Sequence, residues 1–171
     1  SSSALIFYWG ISTSFDVLHV HNIFFSRDNG TEFKQLWEQQ TICDDPTVYI
    51  NISAKMQHED APRGCENWFV LVNAPAAGDT DPDELIKKTR LNVIKKLSRH
   101  LGQDISQLIV TETILDARGI EQNTGAYKGS LYGASSNSAF SAFLRHSNRS
   151  SKIRNLYFCG GTVHPGGGIP L

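Results

Sequence analysis

Apolar residues in this chain fall into short runs of two different periods. Residues 4 to 9 are continuously apolar and aromatic and end at Gly10, which reads as a strand buried on both faces. Residues 20 to 25 form a second strand candidate. Over residues 47 to 53, Val48, Ile50 and Ile52 alternate with Tyr49, Asn51 and Ser53, the pattern of a half-buried strand. Residues 67 to 73 make another strand, and residues 108 to 115 a further one. Between these runs the period lengthens. Phe33, Leu36 and Trp37 stand at helical spacing within residues 31 to 39. Asp81-Pro82-Asp83-Glu84 is a helix start, with Asp81 as cap, Pro82 at the first helical position and Glu84 placed for a capping box. Ile86, Val93, Ile94, Leu97 and Leu101 give that helix its apolar stripe. Lys87, Lys88, Lys95, Lys96 and Arg99 are expected on its solvent side, and Gly102 ends it. Residues 116 to 151 are rich in Gly, Ser and Asn and predict a long polar stretch of binding surface. Leu156-Tyr157-Phe158-Cys159 predicts a short buried strand running into Gly160-Gly161. The fold class is α+β, with a mostly antiparallel sheet and packed helices.

Composition narrows the function. The 171 residues are 40% hydrophobic and 19% charged, a globular balance. A formal net charge of −1, with both signs interspersed, leaves no footprint for nucleic acid. No apolar run approaches the roughly 18 residues of a membrane helix. Cys43, Cys65 and Cys159 are odd in number and far apart, and with no basic leader they are expected as reduced, cytoplasmic thiols. His19-Val20-His21 sets two imidazoles close together, but no further ligand is spaced to complete a site, so no metal is expected. No glycine-rich loop ends in Gly-Lys-Ser/Thr. The chain lacks an initiator Met and stops in a glycine-rich turn, so it is expected to be part of a longer polypeptide.

The stretch from Asn155 to Pro170 carries the chemistry: a strand, the pair Gly160-Gly161, a short excursion, then Gly166-Gly167-Gly168. Glycines let backbone N–H groups approach a ligand closely. A helix start aimed at that ligand adds unpaired donors and positive dipole. Local physics alone leaves open a plain strand-to-helix turn with no ligand.

This stretch resembles the carboxy-terminal flavin signature of the phytoene desaturase family of carotenoid desaturases, isomerases and related oxidoreductases. The family pattern is a strand ending in Gly, a short Gly/Thr segment, and His-Pro-Gly-x-Gly-Ile-Pro. Gly160 and His164 through Pro170 match it, whereas Gly161-Thr162-Val163 departs from the Ala-Gly-Thr of many bacterial members. Ser3 to Gly10, Asp44-Asp45-Pro46, Ala61-Pro62-Arg63-Gly64 and Asn73-Ala74-Pro75 also resemble family segments. Gly129-Ser130-Leu131-Tyr132-Gly133, Ser135-Ser136-Asn137, Arg145-His146 and the Gly166 triplet are most similar to the 1-hydroxycarotenoid 3,4-desaturase branch.

The resemblance implies an FAD enzyme with an amine-oxidase-like fold. Residues 1–145 would belong to its substrate domain. Residues 146–171 would be a returning strand and glycine turn of an incomplete Rossmann-type FAD domain. It implies that Gly160, Gly161, Thr162, Gly167, Gly168 and Ile169 face FAD. The glycine turn for the nucleotide end would lie in a missing amino-terminal half, leaving the isolated chain inactive. Phe7, Trp9, Phe25 and Trp68, with Leu5, Phe24 and Val70, are candidates to line an apolar tunnel for a carotenoid, or else are simply core. His164 is a candidate acid or base, or else orders the turn through a backbone hydrogen bond. Arg145 and His146 are candidate neighbours of the flavin or of the tunnel mouth. The implied reaction is carotenoid desaturation in the cytoplasm, with peripheral membrane contact. The alternatives are a carotenoid isomerase, a retinol saturase and a non-catalytic lipid-binding module.

Overall fold

The computed structural model describes residues 2–78, 81–131, 145–161 and 163–164. Five strands form one antiparallel sheet: β1 (Ser2–Ile11), β2 (His21–Phe24), β3 (Val48–Asn51), β4 (Glu66–Pro75) and β5 (Ile109–Leu115). Their order across the sheet is β2-β3-β4-β1-β5. The helices are α1 (Asn29–Trp37), α2 (Pro82–Leu101) and α3 (Ala117–Thr124). The expected α+β class is therefore observed.

β1 and β4 pair over ten residues, Ser2 opposite Pro75 through Ile11 opposite Glu66. Side chains alternate between faces, so this register puts Leu5, Phe7, Trp9 and Ile11 beside Val72, Val70 and Trp68 on one face. Val48 and Ile50 of β3 join them. Val93, Ile94 and Leu97 of α2 complete the same buried cluster. α2 is capped as its sequence predicts: the Asp81 carboxylate accepts from the Asp83 N–H at 2.9 Å, and Gly102 closes it with φ 69°.

Two polar groups lock loops onto this core. Lys96 is expected on the solvent side of α2 but is 4% exposed. Its Nζ donates to the Phe25 and Pro46 carbonyls, both at 2.8 Å, and lies 3.0 Å from Asp45. Three donors meet three acceptors, which is why the amine tolerates burial beside Val93 and Leu97. Glu66, 2% exposed, receives Lys55 at 2.6 Å, the Trp68 indole N–H at 2.7 Å and the Phe15 N–H at 2.9 Å. The loop after β1 is thereby held so that Phe15 packs against Trp68 with ring centroids 5.5 Å apart.

Residues 116 to 129, the start of the long polar stretch expected, form two short elements instead, and residues 132–144 of that stretch lie outside the described residues. Asp116 accepts from the Gly119 N–H at 3.0 Å and so caps α3, and Ile120 anchors that helix at 3% exposure. A 3-10 turn follows at Tyr127–Gly129. There Gly129 has φ 64°, and a Cβ would lie 2.0 Å from the Ala117 carbonyl oxygen, so only glycine fits. Leu156 to Cys159 also differ from the buried strand expected. Only Tyr157 bridges, to Arg149, and Tyr157 and Phe158 are 62% and 40% exposed. None of the five sheet strands pairs with this segment, so its apolar side chains have no sheet to pack on.

Burial works to raise the Asp45 pKa, but hydrogen bonds from Lys96 and from the Arg27 backbone and side chain outweigh it and hold the carboxyl at about 2. That lies below an unfolded value of about 3.9. The contribution to stability, about 2 kcal/mol, is thus complete above about pH 4 and is lost as pH falls through the folded pKa. Urea titrations at pH 5 and pH 2.5 are expected to show a larger loss in the protein than in Asp45→Asn. Lys96→Ala, which strips the amine from buried acceptors, is expected to cost about 3 kcal/mol. Gly129→Ala is expected to lower the unfolding midpoint more than Gly64→Ala, because the added Cβ at Gly64 meets nothing within 4 Å.

Candidate functional site

The second face of the sheet differs in character from the first. Reading the register strand by strand, Ile23, Tyr49, Leu71, Ile6 and Leu115 stand directly opposite one another across all five strands. His21, Asn51, Phe69, Tyr8 and Thr113 form the adjacent row. Tyr8 and Phe69 meet edge to face at 5.5 Å, and Tyr49 and Phe69 do so at 6.3 Å. The His21 ring stacks on Tyr49, with its Nδ1 2.7 Å from the phenol oxygen. Four gaps of about 4.8 Å make this band roughly 19 Å long. Polar or small positions border it, Asn73 and Ala4 on one side and Asn67, Gly10 and Thr111 on the other. Tyr8 is 42% and Ile23 54% exposed, so part of the band is open to solvent.

The residues singled out for a tunnel occupy other places. Phe7, Trp9 and Trp68 are all 2% exposed or less, on the closed face with Leu5 and Val70. The Trp9 indole N–H donates to Glu112 at 2.5 Å, and Arg90 reaches the same carboxylate oxygen at 2.7 Å. Phe25 follows β2 and is 66% exposed, while Phe24 packs against the core. Their one-residue neighbours, Tyr8 and Phe69, face the open side. A continuous apolar run carries no alternation to tell the two faces apart, so sequence reasoning missed the band. The clue lay in β3, where Tyr49 alternates with Val48 and Ile50.

A cavity of about 550 Å³ sits at the start of α2, between Leu85, Ile86, Leu5 and Ala74, with Tyr127 and Arg118 among its lining. Arg118 is engaged by Asp83 at 2.8 Å and Asp116 at 2.6 Å. Cys43, Cys65 and Cys159 are unpaired, and burial together with Glu32 pushes the Cys43 thiol pKa up, away from reactivity. The spacing of His19 and His21 would put both imidazoles on one strand face, but His19 precedes β2, which begins at His21.

The glycine segment is held by the residues just before it. Phe158 N–H donates to the Asn148 carbonyl at 2.7 Å, and Ser150 N–H to the Leu156 carbonyl at 3.0 Å. On the far side of the glycines, His164 N–H donates to the His146 carbonyl at 2.8 Å. The His146 ring meets Phe158 edge to face at 5.3 Å, and the Arg145 guanidinium donates to the Gly161 carbonyl. Arg145 thus lies before the expected domain boundary yet contacts the segment beyond it. Gly160 has φ 134°, and a Cβ there would meet nothing within 4 Å. The positive φ favours glycine at this position, and the same open space occurs at Gly64, Gly102 and Gly125. His164 is exposed. Thr162, Gly167, Gly168 and Ile169 lie outside the described residues.

No family model matches the chain. Individual proteins do. A 1-hydroxycarotenoid 3,4-desaturase of Flavobacterium sp. (strain P99-3) is 52% identical over all 171 residues. A 4,4'-diapolycopene oxygenase of Methylomonas sp is 33% identical over an alignment of 176 residues. A 4,4'-diaponeurosporene oxygenase of Staphylococcus aureus (strain MSSA476) is 31% identical over 172. Each match covers 100% of this chain and 35% of the relative, so the chain spans about a third of their length.

Proposed function

We propose that the chain belongs to the carotenoid desaturase family and is part of an FAD-dependent desaturase that introduces a double bond into a hydroxylated carotenoid. The single observation that carries this reading is 52% identity to a 1-hydroxycarotenoid 3,4-desaturase over the whole chain. In this reading the remaining two-thirds of the family's length supplies the nucleotide end of the FAD site, and the isolated chain is inactive. Gly160 and Gly161 border the flavin in this reading, while the contacts expected of Thr162, Gly167, Gly168 and Ile169 fall outside the described residues. Bound FAD supplies the acceptor for a hydride taken from a saturated carbon beside the polyene, as a proton leaves the neighbouring carbon. In this reading His164 is the candidate in the turn to receive that proton.

The chain's own part is to position a long hydrocarbon. The two-row band of Tyr8, Phe69, Leu71, Tyr49 and Ile23 suits this role, because a linear polyene needs an extended apolar strip with polar borders. Burying it against aromatic side chains yields about 25 cal/mol per Å² of apolar surface. Oxygenation of a carotenoid, suggested by the names of the two less similar relatives, is the second reading.

Substrate of this class resides in a bilayer, so the proposed enzyme works in the cytoplasm docked on a membrane surface. No helix among the described residues is long and apolar enough to cross one. Phe33 and Trp37, stacked at 5.0 Å on α1 and 39% and 45% exposed, suit peripheral contact.

Expression of the full-length protein in cells that make an acyclic hydroxylated carotenoid is expected to give a red-shifted pigment lighter by two hydrogens. A pigment heavier by oxygen would assign terminal oxygenation instead, and unchanged mass with altered isomers an isomerase. Phe69→Ala and Tyr8→Ala are each expected to lower turnover about tenfold while leaving bound FAD unchanged. Phe33→Ala/Trp37→Ala is expected to reduce co-flotation with liposomes, measured on the same protein.

A further inference from the structure

Among the described residues of the proposed flavin site, the glycine pair has the backbone with the most freedom to lose, since glycine surrenders more conformational freedom on ordering than any other residue. Its neighbours in the chain are tied down through the main chain. Asn148 and Ser150 hold the approach at Phe158 and Leu156, and His146 holds the exit at His164. The glycines themselves have two described attachments. One is internal, Val163 N–H to the Gly160 carbonyl at a long 3.3 Å. The other is the guanidinium of Arg145 on the Gly161 carbonyl. Arg145 is half-buried, so its planar fork is already oriented, and a charged donor makes a stronger bond to a carbonyl than a neutral one. Arg149, four residues on, is exposed.

We infer that Arg145 is a positioning residue for the flavin: by holding the Gly161 carbonyl it fixes the direction of the glycine backbone against which the ring packs. This inference rests on the proposed flavin function and specifies which side chain organises the site. Arg145 acts through Gly161 and need not touch the cofactor itself.

The test uses the full-length protein, with Arg145→Met, Arg145→Lys and, as a control of equal charge loss, Arg149→Met. Methionine keeps an apolar stem and removes the donors. Lysine keeps a charged donor group, as a point charge without the planar fork. Apo-protein is titrated with FAD, following flavin fluorescence quenching and the visible circular dichroism of bound flavin. Unfolding midpoints are measured on the apo-proteins. Arg145→Met is expected to weaken FAD binding at least tenfold and to alter the visible dichroism at saturation, with an unfolding midpoint like wild type. Arg145→Lys is expected to recover most of the affinity, and Arg149→Met to match wild type. FAD affinity and dichroism in Arg145→Met equal to wild type would overturn the inference. Equal losses in Arg145→Met and Arg149→Met would also overturn it, because net charge rather than the Gly161 contact would then be responsible. Wild-type protein that takes up no FAD would instead sink the flavin function on which the inference stands.

Discussion

The pairing of β1 with β4 is the constraint on which the rest of the structure depends. Ten consecutive residues on each strand are in register. Both strands are central, with β3 beyond β4 and β5 beyond β1. Side chains alternate with a period of two, so a slip by one residue would exchange the faces of the sheet. Trp9 and Trp68 would turn outward, and Tyr8 and Phe69 would enter the core. The closed core and the open aromatic band are therefore two products of a single register.

Two buried charges protect that arrangement from opposite ends. Lys96 reaches from α2 to the segment after β2 and to Asp45 and Pro46 before β3. Glu66 joins the start of β4 to the loop after β1 and to Lys55. Each is surrounded by matched donors or acceptors, and loss of either side would leave an unpaired charge in an apolar setting. Such pairs favour one loop arrangement over others more than they add to net stability. The band on the open face inherits its geometry from these loops, because β2 and β3, which contribute Ile23 and Tyr49, are placed by them.

The glycine segment follows a different logic. It pairs with residues 145 to 150, a neighbouring stretch of chain, through three main-chain hydrogen bonds and the Arg145 side chain. It is organised locally, and its apolar residues Tyr157 and Phe158 remain largely uncovered.

Much of the architecture was legible from local pattern. Period-two alternation marked β3, and the Asp81-Pro82 start and Gly102 marked α2, because each is a short-range constraint carried by neighbouring residues. The Asp116 cap and Ile120 of α3 were present too, but one buried residue in a polar stretch gives no period to read. What the amino-acid order left undecided was every assignment that needs a partner far along the chain. The continuous runs of β1 and β4 do not say that Trp9 and Trp68 face inward while Tyr8 and Phe69 face outward. Nor does the stripe of α2 reveal that Lys96 is buried, since its three acceptors come from residues 25, 45 and 46. Side-chain direction within such a run, and the satisfaction of a buried charge, are set by long-range pairing, and that pairing exists only once the chain has folded.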